Sequence, residues 1–516
     1  MIASDGYITD TPYVPGFFHH MAPIAMRYAA VLNKKAPVAS PECFRYLELG
    51  CGLGRVFTTL AAANPGGEFV GVDINPDHAA FAANDIRAGG LANARILNCD
   101  FASLPADLGL FDFVALHGVL SWVSVEVREQ ILAIARRHLA PGGLLLVSYN
   151  AMPGWAHLQP IRGILRQYAQ LREGGALQKV RDAMAYLVLL RDKQAKYFVD
   201  NPAAAAFVQN LTNQDLHYVA HEFMHEHWST YYFSDVVNLF AGADLSYVGS
   251  LPASTNYWEL CIKPEFHDLF RTSQSRLVSE AHKDICANTA FRWDVYGKSC
   301  AVVVTLADRL ACADDLVYRA TRQDIQFPHQ VNLGAVISTV QGEPYESLTA
   351  LLSRSDLRLS QILEAPELQG FDLAGVVHAL DLGVALGLYE VVANPLLDAP
   401  AVLPDQPRVL HPFNAHVLAT GAFGGRTVAL ASPVTGSGYN ISDLDAAIVH
   451  ELATAGAAGV RDRVLSRFQA SGRSMNKDGQ VVTDQAVIAS ALEQAIAQAQ
   501  STLVPQLIRH GILAAA

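Results

Sequence analysis

The chain has 516 residues, 51% of them apolar and 17% charged, with a formal net charge of −12 and a pI near 5.8. That length accommodates about three domains, and the apolar fraction excludes a largely disordered protein. A surface of this sign repels phosphate backbones, so general nucleic-acid binding is not expected. The seven cysteines include no C-x-x-C pair and read as reduced cytosolic thiols, not a disulfide framework or a zinc ribbon. Met1 to His20 lacks the basic flank and apolar core of a signal peptide. No run reaches the roughly 18 uncharged apolar residues of a membrane helix. A soluble, cytoplasmic protein with no membrane partner is the expectation.

In chain order, residues 1–43 are aromatic and turn-rich with no strand of their own, and are expected to form an arm or lid extending through Tyr13. From Phe44 to Tyr149, short apolar runs alternate with helical stretches. The runs are Arg45–Leu49, Glu68–Asp73, Ala94–Asn98, Asp112–His117 and Gly143–Ser148; the helices are Gly54–Ala63, Asp77–Ala88 and Val125–Leu139. This spacing predicts βαβ units and a parallel sheet with helices on both faces. Pro141-Gly142-Gly143 reads as a turn feeding the last strand. After Trp155 the alternation ends, and helical or mixed patterns run to about Asp324. Three short helical patterns follow between Val336 and Val392, then Pro395, Pro400, Pro404 and Pro407 mark a stiff loop. Ser442 to Leu513 is again helical. The expected division is 44–160 for a cofactor-binding α/β domain, 161–327 for a helical or mixed domain, and 328–516 for a mostly helical domain.

The most informative segment is Tyr46-Leu47-Glu48-Leu49-Gly50-Cys51-Gly52-Leu53-Gly54. A strand delivers an acid, then three alternate glycines that let the backbone turn and a ligand approach without Cβ atoms, then a helix N-terminus with free N–H groups. Asp73 ends the second strand, where a carboxylate accepts bonds from ribose hydroxyls. Asp100 and Phe101 follow the third strand, placed to accept from an exocyclic amine and to flank an adenine ring. A nicotinamide dehydrogenase needs G-x-G-x-x-G, and Arg55 occupies its third glycine.

On these residues, 44–149 resemble a class I S-adenosylmethionine-dependent methyltransferase, in which the acid at Glu48 orients the loop and the methionine end. The resemblance assigns Glu48, Gly50, Gly52, Gly54, Asp73, Asp100, Phe101 and His117 to S-adenosyl-L-methionine. His117-Gly118-Val119-Leu120-Ser121-Trp122-Val123, Ser148-Tyr149-Asn150-Ala151-Met152-Pro153-Gly154-Trp155, His221-Glu222-Phe223 with Glu226-His227-Trp228, and Phe291-Arg292 with Asp294-Val295-Tyr296 extend it. These segments resemble a bacterial group carrying a methyltransferase regulatory domain after the catalytic one, which includes outer-membrane-protein lysine methyltransferases. Leu120 departs from that pattern, where an aromatic residue is expected.

His221-Glu222-Phe223-Met224-His225 spells H-E-x-x-H, a zinc-protease signature. No third ligand follows at the required spacing, since Trp228 and Tyr231 occupy those positions, so no metal is expected. His117, Trp122, Tyr149 and Asn150 leave the fourth and fifth strands on the rim where ligands bind in open α/β sheets. They are the candidate catalytic residues: His117 as proton acceptor or packed rim histidine, Trp122 and Tyr149, joined by Trp155, as an aromatic wall or as core packing, Asn150 as an orienting group or a turn cap. The expectation is methyl transfer to lysine side chains of a protein or other macromolecular acceptor, with a homodimer left open. The alternatives are a small-molecule or glycan methyltransferase and a non-catalytic cofactor-binding scaffold.

Overall fold

The computed structural model describes residues 16–37, 43–398, 402–477, 480–482 and 484–514. Tyr13 lies outside them. A seven-stranded sheet positions the site. Its strands are β1 (Phe44–Leu49), β2 (Gly67–Asp73), β3 (Ala94–Asn98), β4 (Phe111–Leu116), β5 (Leu139–Asn150), β6 (Ser246–Ser250) and β7 (Phe291–Gly297), in spatial order β3-β2-β1-β4-β5-β7-β6. The first five are parallel, whereas β7 runs antiparallel to both β5 and β6. Four helices matter here: α1 (Pro23–Leu32), α2 (Arg55–Ala63), α3 (Pro76–Ala88) and α4 (Val125–His138).

Because successive strand side chains point to opposite faces, the strands divide between two cores. Tyr46, Phe69, Phe113, Leu144 and Leu146 pack with α2 and with C-terminal residues such as Phe413 and Leu418. Leu47, Val70, Val114, Leu145 and Val147 pack with Ile131 and Ala135 of α4 and with Phe240. Both faces are therefore dry, as a parallel sheet requires. The C-terminal region locks onto the first face: His416 Nε2 lies 2.9 Å from Asp85 Oδ1, and Asn64 donates to the Gly436 carbonyl. Residues 158–223 build a separate helical core around Ile161, Leu165, Leu187 and Phe223.

Two features differ from the expectation. Pro141-Gly142-Gly143 does not precede the fifth strand but lies inside it. Pairing with β4 shifts register between Phe111↔Leu139 and Phe113↔Leu144, and Gly142 takes a φ of +80°. The bulge absorbs a proline that cannot donate to a ladder. The sheet is also not complete at residue 160, because β6 and β7 come from the segment read as helical or mixed. In β7, Arg292 and Asp294 alternate with Trp293 and Val295, a pattern that looks polar on one side, yet Arg292 and Asp294 are 5% and 0% exposed.

Their burial is possible because Arg292 is fully engaged. Its Nε faces both Asp294 oxygens at 3.0 and 3.1 Å, Nη1 donates to Asp284 at 2.7 Å, and Nη2 donates to Glu280 at 2.9 Å. Lys283 donates to Glu280 at 2.7 Å, and the Tyr149 and Ser250 hydroxyls donate to Asp294, each at 2.6 Å. Removing one partner of a buried ion cluster strands the others, at a cost of about 3–5 kcal/mol. Arg292→Met should accordingly lower the urea midpoint of unfolding sharply, whereas Arg271→Met, at an exposed helical pair with Asp268, should leave it nearly unchanged.

Candidate cofactor and acceptor site

The turn after β1 is built from glycines for identifiable reasons. Gly50, Gly52 and Gly54 have φ of +70°, +55° and +75°, a region that disfavours side chains. A Cβ on Gly50 would lie 2.6 Å from Val119, and one on Gly54 would lie 2.7 Å from Ala82. At Gly52 a Cβ would meet no protein atom within 4 Å, because this residue faces a cavity of about 470 Å³. The Gly50 and Cys51 N–H groups donate to the Val72 carbonyl, tying the turn to β2. The Gly52 N–H donates to Asp73 Oδ2 at 2.7 Å, while Asp73 Oδ1 accepts from the Asn75 N–H at 2.9 Å.

Glu48 lies beneath this turn, 4% exposed. Burial, then the charge of Asp73, pushes its carboxyl up to about 8, against the opposing Phe57 N–H bond. Its Oε2 is buried without a hydrogen-bond partner. An orphaned carboxylate oxygen beside an open glycine cradle fits a ligand carrying positive charge and donors. Asp100 and Phe101 line the same cavity, with Asp100 accepting from the Ser103 N–H at 2.7 Å; bonds to Ser103 hold its carboxyl below the usual range.

The acceptor-side residues divide. His117 and Trp122 line the cavity. His117 is stacked on Trp293 at 4.3 Å between ring centroids, with Phe18 at 4.0 Å, and its Nδ1 lies 2.7 Å from Ser148 Oγ. Burial, then the neighbouring His20, pulls its pKa down to about 3, so the ring is neutral and a poor proton acceptor. Tyr149 does not reach the cavity. It is fully buried on the opposite face of β5, its hydroxyl bound to Asp294, which corrects its placement in an aromatic acceptor wall. Asn150, one residue on, has the opposite parity: its N–H donates to Ser121 Oγ at 2.9 Å and its side-chain amide reaches Glu222 Oε1 at 3.5 Å. Trp155 packs against Phe223 and Trp228. Leu120 is buried in the second core.

Sequence reading missed Phe18, Met21, Glu222 and His225, which also line the cavity. The signal for the last two was the H-E-x-x-H helix itself, read only for metal. Among the described residues no cluster of three or more His, Cys, Asp or Glu is arranged for a metal ion; the His221 side chain lies outside them.

Comparison with known proteins agrees with this geometry. Residues 47–143 match a methyltransferase domain, and residues 215–298 match a predicted methyltransferase regulatory domain. The chain thus carries a methyltransferase domain followed by a methyltransferase regulatory domain. It is 24% identical over 522 residues to an uncharacterized protein of Synechocystis sp., covering 99% of this chain and 100% of that protein. An uncharacterized protein of Rickettsia prowazekii is 28% identical over 256 residues, 49% of this chain and 45% of that one. Over 97% of the methyltransferase and 100% of its counterpart, the fold matches PKMT2 from Rickettsia typhi in complex with AdoHcy, with a TM-score of 0.70 at 18% identity. AdoHcy is the product that S-adenosylmethionine leaves on giving up its methyl, and the Glu48, Gly52 and Asp73 arrangement of this chain suits S-adenosylmethionine. When bound it supplies a methyl group already activated on a sulfonium.

Two outcomes follow from the site. Asp73→Ala should weaken S-adenosylmethionine binding by about 1–3 kcal/mol in calorimetry, through lost hydrogen bonds and a loosened Gly52. Glu48 carries a carboxyl that keeps its proton in the fold while the unfolded chain releases it. Its stability cost therefore accumulates as pH rises from the usual glutamate range to about 8. In thermal melts, ligand-free Glu48→Gln should gain on the parent across that window and bind the cofactor more weakly.

Proposed function

We propose that this methyltransferase N-methylates lysine side chains of protein acceptors in the cytoplasm. The observation that carries the reading is the charge of the cavity wall. Among the described residues, Asp73, Asp100, Glu126 and Glu222 line it, with the protonated Glu48 beneath, against one Lys or Arg residue, Arg55, which is paired with Asp85 at 2.9 Å. Such a wall attracts an ammonium acceptor and repels a phosphate backbone. Trp122 adds an aromatic face, which favours ammonium and methylammonium groups. The likeness in fold to PKMT2 and the motifs that resemble those of a bacterial group including lysine methyltransferases support the same class of acceptor. The helical core of residues 158–223 and the C-terminal region provide surface beyond what a small acceptor needs. The seven cysteines, all free, suit a reducing compartment.

The work asked of the chain is positional. The glycine turn and Asp73 fix one reactant, and the rim of β4 and β5 fixes the other, so that nucleophile and methyl meet in line. Phe18, Met21, Val119 and Val123 line the same cavity and limit water. The bound ammonium must lose its proton before attack, a step that the apolar part of the lining favours and the carboxylates oppose.

The test is incubation of the purified protein with methyl-labelled S-adenosylmethionine and fractionated cell extract. Label should appear in lysine residues of protein. Label in glycan or metabolites would instead establish the small-molecule alternative, and cofactor binding without any transfer would establish the scaffold.

A further inference from the structure

The amine-acceptor reading leaves open which group recognises the amine, and this inference rests on that reading. Glu222 lies in the last turn of the helix Leu216–Phe223, inside the segment matching the regulatory domain, yet it lines the cavity that Glu48, Gly52 and Asp73 line. Its position relative to the sheet is fixed by backbone pairing. The Tyr231 N–H donates to the Asn150 carbonyl at 3.0 Å, the Met152 N–H to the Tyr231 carbonyl at 2.8 Å, and the Ser229 N–H to the Ser121 carbonyl at 2.7 Å. The chain leaving the helix is thus laid along the end of β5, whose Asn150 amide meets the Glu222 carboxylate.

Among the described residues no cation bonds to that carboxylate. Arg162, the nearby cation, donates instead to the His225 carbonyl and lies over the Trp228 ring at 4.9 Å, so it attracts Glu222 only through space. Burial pushes the Glu222 carboxyl up to about 7, against the Asn150 bond and the Arg162 charge. A carboxylate held in a half-buried wall with one long hydrogen bond gains most from a ligand that brings positive charge and N–H donors.

We propose that Glu222, supplied by the regulatory domain and held from behind by the Asn150 amide, binds the ammonium group of the acceptor lysine in the cavity that Trp122 also lines. Methyl donor and acceptor are then recognised by different parts of the chain: the glycine turn and Asp73 hold one, and the regulatory helix completes the pocket for the other. Undocking that helix removes amine recognition while leaving the cofactor cradle intact. The regulatory segment therefore controls acceptor capture rather than cofactor capture.

The experiment compares full-length wild type, Glu222→Gln and Glu222→Asp. The glutamine variant keeps the shape and still accepts the Asn150 bond. S-adenosylmethionine affinity by calorimetry should stay within about twofold in all three. In the presence of S-adenosylhomocysteine, binding of n-butylammonium followed by ligand-detected NMR should weaken about tenfold or more in Glu222→Gln and recover in part in Glu222→Asp. With random-sequence peptides each carrying one lysine, KM should rise about tenfold in Glu222→Gln, more than kcat falls. Glutamine-variant binding and KM equal to wild type, or an equal loss of cofactor affinity, would overturn the role of Glu222 alone. A wild-type protein that places methyl groups only on non-lysine acceptors would overturn the lysine reading on which it rests.

Discussion

The arrangement of the whole molecule depends on one antiparallel pairing, β7 against β5, held by the Arg292 cluster. Burying three carboxylates with two cations is costly in a dry interior, and it is tolerated only because every ion has close partners. The surplus acid is visible in Asp284, which burial pushes up to about 6. Arg292 reaches carboxylates on the helix Arg276–Ala287 and on its own strand, while Asp294 gathers hydroxyls from β5 and β6. This cluster registers the regulatory segment against the strand whose end carries Asn150. The acceptor side of the site inherits its geometry from that registration.

The first half of the fold was largely legible. From β1 to β4 the runs of apolar residues, the glycine turn and the helices after β1 and β2 mark their own boundaries, and β1, β2 and β4 read as near-continuous apolar runs because they are buried on both faces. What could not be read has physical causes. The bulge in β5 hides a strand behind residues that ordinarily end one. β7 hides a buried face behind charged side chains, since only the three-dimensional arrangement shows Glu280 and Asp284 waiting for Arg292. Tyr149 was misplaced for a related reason: in a strand with two dry faces, alternation gives no sign of which parity faces the ligand.

The cofactor side and the acceptor side also differ in how they were found. Glu48, the glycines and Asp73 act within one βαβ unit, so spacing along the chain reports their meeting. Phe18, Trp293 and Glu222 come from three distant segments and meet only through tertiary packing. The stack of Phe18 and Trp293 on His117 ties the N-terminal segment to the ends of β4 and β7, and gives that histidine a packing role on the rim. The acidity of the cavity follows from both sets together and from neither alone.

The length of β5 has a consequence for how the molecule is made. Until residue 297 has left the ribosome, β5 remains an open edge twelve residues long and mostly apolar, with a row of unsatisfied N–H and C=O groups. Such an edge is a template for pairing with any extended chain nearby. A fragment ending near residue 160 would keep the whole glycine turn and Asp73 but expose this edge permanently, favouring self-association over solubility. The regulatory segment thus serves the nascent catalytic unit as an edge guard before it serves any substrate.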